Sequence, residues 1–182
     1  MAAQNFDLIV IGAGPGGYVA AIRGAQLGMK VAIVERENLG GICLNWGCIP
    51  TKAMLRSSEV FHLMHRAKEF GLKATGIDYD LDAVVKRSRG VAGQLSGGIG
   101  HLMKKNKITV FEGFGSFVDK NTIKVTKEDG TEETFATDKT IIATGSKPVN
   151  LPGIDIDKKK IITSTEALEI TDLPKSMIVI GG

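Results

Sequence analysis

The chain contains two cysteines, Cys43 and Cys48, both within GGICLNWGCIPTK at residues 40–52. Two thiols five positions apart could form a structural disulfide, supply half of a metal site, or cycle between dithiol and disulfide. A tetrahedral metal site needs two further ligands. Nothing in the sequence brings His62, His65 or His101 to the cysteines, so these are read as solvated or packed histidines and no metal is expected. A purely structural staple is also a weak reading, because so short a loop constrains the unfolded chain by only about 2 kcal/mol. In an ideal helix, Cα atoms five positions apart lie about 8.6 Å from one another; a disulfide wants less than about 7 Å. Asn45 and Gly47 favour a departure from ideal helix, and Pro50 favours a helix starting near it. Cys48 then falls near a helix N-terminus, where a thiolate is stabilised. A reducible pair is the preferred reading on this physics, with two inert thiols as the alternative.

A second cluster lies upstream. GAGPGG at 12–17 fits G-x-G-x-x-G through Gly12, Gly14 and Gly17. Gly12 permits a tight turn, Gly14 lets backbone amides approach a pyrophosphate, and Gly17 lets a helix lie close to a strand. The helix N-terminus supplies amide donors and partial positive charge to phosphates. Glu35 follows 23 residues after Gly12. An acidic side chain there can accept from both ribose hydroxyls and repels a 2′-phosphate.

The surrounding elements must position these groups. FDLIVI at 6–11 has the length and branched content of a strand buried on both faces. Residues 15–28 suit a helix with Pro15 in its first turn and Gly28 as its stop, and KVAIVE at 30–35 suits a second strand. Together they make a βαβ unit. A helix is expected over about 50–69, with Met54, Phe61 and Met64 on its core face. Another is expected over about 81–105, with Val84, Val91, Leu95 and Leu102 inward, though five glycines weaken it. Residues 107–144 read as strands, with a hairpin turn at Asp129-Gly130 and KTIIATGS as a further buried strand. SKPVNLPG at 146–153 is a proline-marked domain edge. KSMIVIGG at 175–182 reads as a fresh buried strand running into glycines, much like the opening FDLIVIGAG.

The composition, 43% hydrophobic and 24% charged, is that of ordinary globular material. A net charge of +3, with scattered basic residues, argues against a nucleic-acid face. No apolar run approaches the ~20 residues of a membrane span, and MAAQNFDLIVIG has no leader character. The expectation is an intracellular, cytoplasmic protein of the α/β class. Its Rossmann-like domain has a central parallel sheet, helices and an added β-hairpin or meander.

The wording of GGICLNWGCIPTK closely resembles the redox-active segment of the flavin-dependent pyridine nucleotide–disulfide oxidoreductases, and C-L-N-x-G-C-I-P most resembles their dihydrolipoamide-oxidising branch. The resemblance runs over the whole chain through the glycine fingerprint, Glu35, ATGS at 143–146 and the final VIGG. Ile42 stands where threonine or valine is frequent and Thr51 where serine is frequent; neither change removes a reactive group. The resemblance implies FAD at the first fingerprint. Gly12, Gly14, Pro15, Gly16 and Gly17 would line its pyrophosphate, and Glu35 its adenosine ribose, with Arg36 beside it in the cofactor set. Gly40 and Gly41 would permit close backbone approach, Lys52 would lie near the flavin ring, and Gly115 near the adenine end. Thr144, Gly145 and Ser146 would form a turn along the cofactor. Cys43 would be the interchange thiol and Cys48 the flavin-facing thiolate, with electrons passing from dithiol to disulfide, to FAD and then to NAD⁺.

The implied organisation is an incomplete FAD-binding domain at 1–150, a connector at 151–175 and the first strand of an NAD-binding domain at 176–182. On this reading the chain is a fragment that does not turn over alone. The full-length protein would be a homodimer acting on lipoyl groups of 2-oxo acid dehydrogenase or glycine-cleavage complexes, with no nucleic-acid or membrane partner. Another disulfide or metal-ion reductase of the family is the near alternative, and a non-redox dinucleotide-binding module the distant one.

Overall fold

A computed structural model describes residues 5–181. The apolar opening forms strand β1 (Asn5–Ile11), in which Phe6, Leu8, Ile9, Val10 and Ile11 are all buried. Helix α1 (Pro15–Gln26) leads to β2 (Val31–Glu35), which pairs parallel with β1 from Leu8↔Val31 to Ile11↔Val34. This is the expected βαβ unit. Two helices follow, α2 (Gly41–Trp46) and α3 (Cys48–His65), then a 3₁₀ turn at Ala67–Phe70 and the long α4 (Leu81–Lys105). Four strands complete the sheet: β3 (Thr109–Glu112), β4 (Phe114–Asp119), β5 (Thr122–Thr126) and β6 (Glu132–Ile142). A one-turn helix, α5 (Ser164–Ala167), lies beyond them.

The strand order is β3-β2-β1-β6-β5-β4. β6 serves two partners in succession. Its first residues pair antiparallel with β5 (Thr126↔Glu132 to Thr122↔Ala136), and the rest pair parallel with β1 (Asn5↔Ala136 to Ile11↔Ile142). The parallel sheet and the antiparallel meander are therefore joined through one strand. Alternate residues of β1 and β2 face opposite ways. Leu8, Val10, Val31 and Ile33 pack with Ala21 of α1 and with Ile99 and Met103 of α4. Ile9, Ile11, Ala32 and Val34 pack under the meander's Ile123, Val125 and Phe135. Burial on both faces explains the unbroken apolar runs of these strands.

Several expectations are corrected. α4 is continuous through its five glycines, but the face it buries is Ser88, Ala92, Ile99 and Met103, while Leu95 is 42% exposed. Small residues at Ser88 and Ala92 share that face with the larger Ile99 and Met103, and Leu102 packs half-buried against the same core, as expected. Met64 of α3 is likewise 41% exposed, and that helix buries Pro50 and Ala53 instead. The hairpin at Asp129-Gly130 forms as expected, with Gly130 at φ +82° and Lys127 N–H donating to Thr131 O at 2.9 Å. Residues 176–181 do not form the expected strand, and Ile178, Val179 and Ile180 are 91%, 75% and 70% exposed. A buried strand needs neighbours to pair with, and no described strand pairs with this segment; Gly182 lies outside the described residues. Among the described residues no helix is long and apolar enough to cross a membrane.

Candidate functional site

The glycine turn between β1 and α1 is tight behind and open in front. Gly12 has φ +99°, and a Cβ there would stand 2.3 Å from the Ala143 carbonyl oxygen; one at Gly17 would stand 1.8 Å from the Gly12 carbonyl oxygen. Helix, turn and the end of β6 thus meet backbone to backbone. A Cβ at Gly14 or Gly16 would meet nothing within 4 Å. Among the described residues no side chain caps α1, and its first turn holds no acidic residue. The first N–H groups of a helix have no intrahelical acceptor, and with open space beside Gly14 and Gly16 this end suits an anion.

Glu35 closes the far side of this turn. Its carboxylate accepts from the Ala13 backbone N–H at 2.7 Å and from the Glu37 N–H at 2.9 Å. An ionised carboxylate has about four acceptor positions, so it retains capacity for hydroxyl donors. Glu35 lines a cleft of about 270 Å³ with Glu37 and Glu112, against Ser96, Gly97 and Gly100 of α4. Among the described residues no lysine or arginine lines this cleft, so it suits a neutral, hydroxyl-rich group better than a second phosphate. Arg36 lies outside the lining, ion-paired to Glu37 at 3.3 Å on the surface. Gly115 is set by packing: a Cβ there would stand 3.1 Å from Ile11 Cγ2 and 3.3 Å from Val34 Cγ1.

The cysteine segment rests directly on the glycine turn. Gly40 N–H donates to Ala13 O at 2.8 Å, and a Cβ on Gly41 would stand 2.6 Å from Gly14 Cα. Cys43 lies within α2 and Cys48 opens α3, and the pair is disulfide-bonded with a Cα–Cα distance of 4.6 Å. An unbroken helix could not bring them so close. Gly47, at φ −150° and ψ −110°, is the break that does. Cys43 is half-buried beside the core and Cys48 is exposed at the uncapped start of α3, where the helix dipole favours a thiolate. Lys52 is exposed within the first turns of α3. Ala143 N–H donates to Ile11 O at 2.8 Å, which holds Thr144 beside Gly12, with Gly145 and Ser146 following exposed.

The fold therefore gathers the fingerprint, Glu35, Gly40, Gly41, both cysteines and Thr144, and leaves Arg36 outside the cleft. Other contacts escaped sequence reasoning, and Asn45, expected to favour a departure from helix, lies within α2, which breaks at Gly47. Asn45 is buried and donates through Nδ2 to Leu39 O at 3.0 Å and Gly41 O at 2.9 Å. Ser96 of α4 donates to the same Leu39 carbonyl at 2.7 Å, and Arg89 of α4 donates to Asn45 O. Asn45 had a visible cue, a polar residue between Leu44 and Trp46. Arg89 and Ser96 had none, because helix packing alone brings them to α2. The α4 glycines that weaken its propensity include Gly97 and Gly100, which form a wall of the cleft.

Comparison with known proteins agrees with this architecture. The chain is 49% identical over 178 residues to dihydrolipoyl dehydrogenase of Chlorobaculum parvum, and 50% identical over 179 residues to that of Zymomonas mobilis. A mitochondrial dihydrolipoyl dehydrogenase of Schizosaccharomyces pombe is 48% identical over 181 residues. Each alignment covers 98% of this chain but only 35–38% of the relative, so the chain spans little more than a third of their length. The crystal structure of LpdA from Mycobacterium tuberculosis superposes with a TM-score of 0.85 at 24% identity, covering 94% of this chain and 38% of that one, and so shares its fold. Residues 6–182 match the family described as pyridine nucleotide-disulphide oxidoreductase. A glycine turn with open amides, a cysteine pair docked on it and this match over nearly the whole chain agree: the protein belongs to the pyridine nucleotide-disulphide oxidoreductase family.

Proposed function

We propose that this chain is the FAD- and disulfide-bearing part of a dihydrolipoyl dehydrogenase. The contact that carries the reading is Gly41 on Gly14, which places the Cys43–Cys48 segment against the nucleotide-type turn. On this reading the open amides at the start of α1 hold the FAD pyrophosphate, with Gly14, Pro15 and Gly16 at its surface. Glu35 takes the adenosine ribose in the acidic cleft. Lys52 offers a cation that favours negative charge developing on reduced flavin, and the turn at Thr144, Gly145 and Ser146 borders the same space. FAD, if bound there, would supply the onward two-electron and hydride chemistry toward NAD⁺, the Cys43–Cys48 disulfide being the acceptor this chain itself holds.

The residues of this chain perform the thiol chemistry. A substrate thiolate attacks Cys43 Sγ, the Cys43–Cys48 bond breaks, and a mixed disulfide forms as Cys48 leaves as thiolate. The second substrate thiol then displaces Cys43, releasing cyclic disulfide product and leaving both protein cysteines reduced. The start of α3 stabilises the Cys48 thiolate. The substrate is protein-bound dihydrolipoamide, carried by 2-oxo acid dehydrogenase or glycine-cleavage complexes in the cytoplasm, and the working form is a homodimer. Residues 1–150 belong to the FAD domain, 151–175 connect, and 176–182 begin the NAD domain.

Thiol titration tests the reading: reduction should release two free thiols per chain, and the reduced flavin-loaded protein should gain a long-wavelength charge-transfer band. Two thiols without any flavin binding would favour a non-flavin module. Turnover of dihydrolipoamide with NAD⁺ by the isolated 182 residues would overturn the division into domains.

A further inference from the structure

Helix α4 grips α2 at both ends. Before α2, Ser96 Oγ donates to Leu39 O at 2.7 Å; at its last turn, the Arg89 guanidinium donates through Nη1 to Asn45 O. The same guanidinium lies over the Trp46 ring, its Cζ 4.0 Å from the ring centroid. Asn45 and Trp46 are the last two residues of α2, immediately before the Gly47 break that lets Cys43 and Cys48 approach. Carbonyls at a helix C-terminus lack intrahelical partners, and a cation there complements the helix dipole. Arginine can bond in the plane of its guanidinium while stacking through its face; lysine cannot do both.

Beyond the backbone link through Gly47, the covalent cross-link between α2 and α3 exists only while the disulfide is closed. Once it opens, four residues separate the thiols and one of them is Gly47. The Arg89 contacts do not depend on the disulfide. We propose that Arg89 is a positioning residue for the redox pair. It holds the end of α2 in place in the reduced protein, keeps the two thiols close, and so biases the couple toward disulfide. This rests on the reading of Cys43 and Cys48 as a reversible couple.

The test is a glutathione redox titration of the intact polypeptide that carries this chain, with acid quench, thiol alkylation and mass analysis of the Cys43/Cys48 peptide. Two glutathione thiols reduce the protein disulfide to a dithiol and yield one glutathione disulfide. Arg89→Met should lower the equilibrium constant for closing the disulfide about tenfold, a rise of about 30 mV for a two-electron couple. Arg89→Lys should fall between Arg89→Met and the unmodified protein. Trp46→Leu, which removes the stacking partner, should lower the constant about threefold. A constant for Arg89→Met within twofold of the unmodified protein, or one shifted the other way, overturns the proposal. If circular dichroism shows Arg89→Met unfolded, Trp46→Leu decides, and an unchanged constant there overturns it equally. A cysteine pair that never equilibrates with glutathione in the unmodified protein would instead bring down the redox reading itself.

Discussion

Gly41 sits so close to Gly14 that a side chain on it would begin 2.6 Å from the Gly14 Cα. This contact joins the redox segment to the glycine fingerprint, and it needs a left-handed backbone as well, since Gly41 has φ +58°. Gly41→Ala combines a backbone clash with a positive φ, each of which costs about 1 kcal/mol or more. A fall in stability of about 2–3 kcal/mol by urea unfolding is expected, with loss of flavin retention. A variant of unchanged stability would show that α2 can move off the turn.

Gly16 and Gly17 are neighbours with opposite prospects. A Cβ at Gly17 meets the Gly12 carbonyl oxygen at 1.8 Å, whereas one at Gly16 meets nothing within 4 Å. Gly17→Ala should cost at least about 3 kcal/mol, by analogy with severe overpacking. Gly16→Ala, in the first turn of α1, should hold or raise the melting temperature, since alanine is the better helix former by about 1 kcal/mol. It should still weaken flavin binding, because its methyl enters the space where the phosphates are proposed to lie. Paired thermal melts and flavin titrations read out both effects.

Glu35 bonds the amides of Ala13 and Glu37 through separate carboxylate oxygens. Glu35→Gln keeps one acceptor and loses the charge-assisted second bond, which for hydrogen bonds to charged groups is worth about 1.5–3 kcal/mol. A loss of about 1–2 kcal/mol in stability and of roughly tenfold in flavin affinity is expected. The variant should also discriminate less against nucleotides bearing a 2′-phosphate, measured by competition binding. Retained discrimination would place the selecting charge on Glu37 or Glu112.

Asp157 accepts from the backbone N–H groups of Lys159, Lys160 and Ile161 at 2.8, 2.8 and 2.9 Å. These bonds hold its carboxyl below the usual aspartate range, that of Lys159 contributing most. A carboxyl lowered on folding adds stability that is present above its unfolded pKa and is lost as pH falls through the folded one. The turn at 157–161 should therefore keep its amide protection at mildly acidic pH and lose it only below the ordinary aspartate range. Hydrogen exchange at Lys159–Ile161, corrected for intrinsic rates, follows this directly. Asp157→Asn should remove the pH dependence.

Much of the fold was legible because its causes are local. Strands buried on both faces must be continuously apolar, as in FDLIVI and VAIVE, and a glycine turn followed by Pro15 starts a helix wherever it occurs. The hairpin at Asp129-Gly130 was readable for the same reason. The buried faces of α3 and α4 were less readable, because apolar periodicity does not reveal which stripe meets a neighbour. On α4 the stripe of Ser88, Ala92, Ile99 and Met103 turns inward, with Leu102 half-buried beside it and Leu95 outside. KSMIVIGG had the pattern of a strand, but strand formation depends on partners, and no described strand pairs with it.

The candidate site divides in the same way. By itself the sequence determined the reacting groups: two cysteines with Gly47 between them, a phosphate-type turn and an acid at the end of β2. These follow from residue type and short spacing, which set backbone freedom and thiol chemistry locally. Only the tertiary structure decided that Gly41 lies on Gly14, that Gly97 and Gly100 wall the acidic cleft, and that Arg89 reaches Asn45 across 44 positions. Those contacts arise from packing α2 on the glycine turn and α4 against α2 and the sheet, and no pattern along the chain encodes a contact whose two halves are joined only by the burial of a shared core.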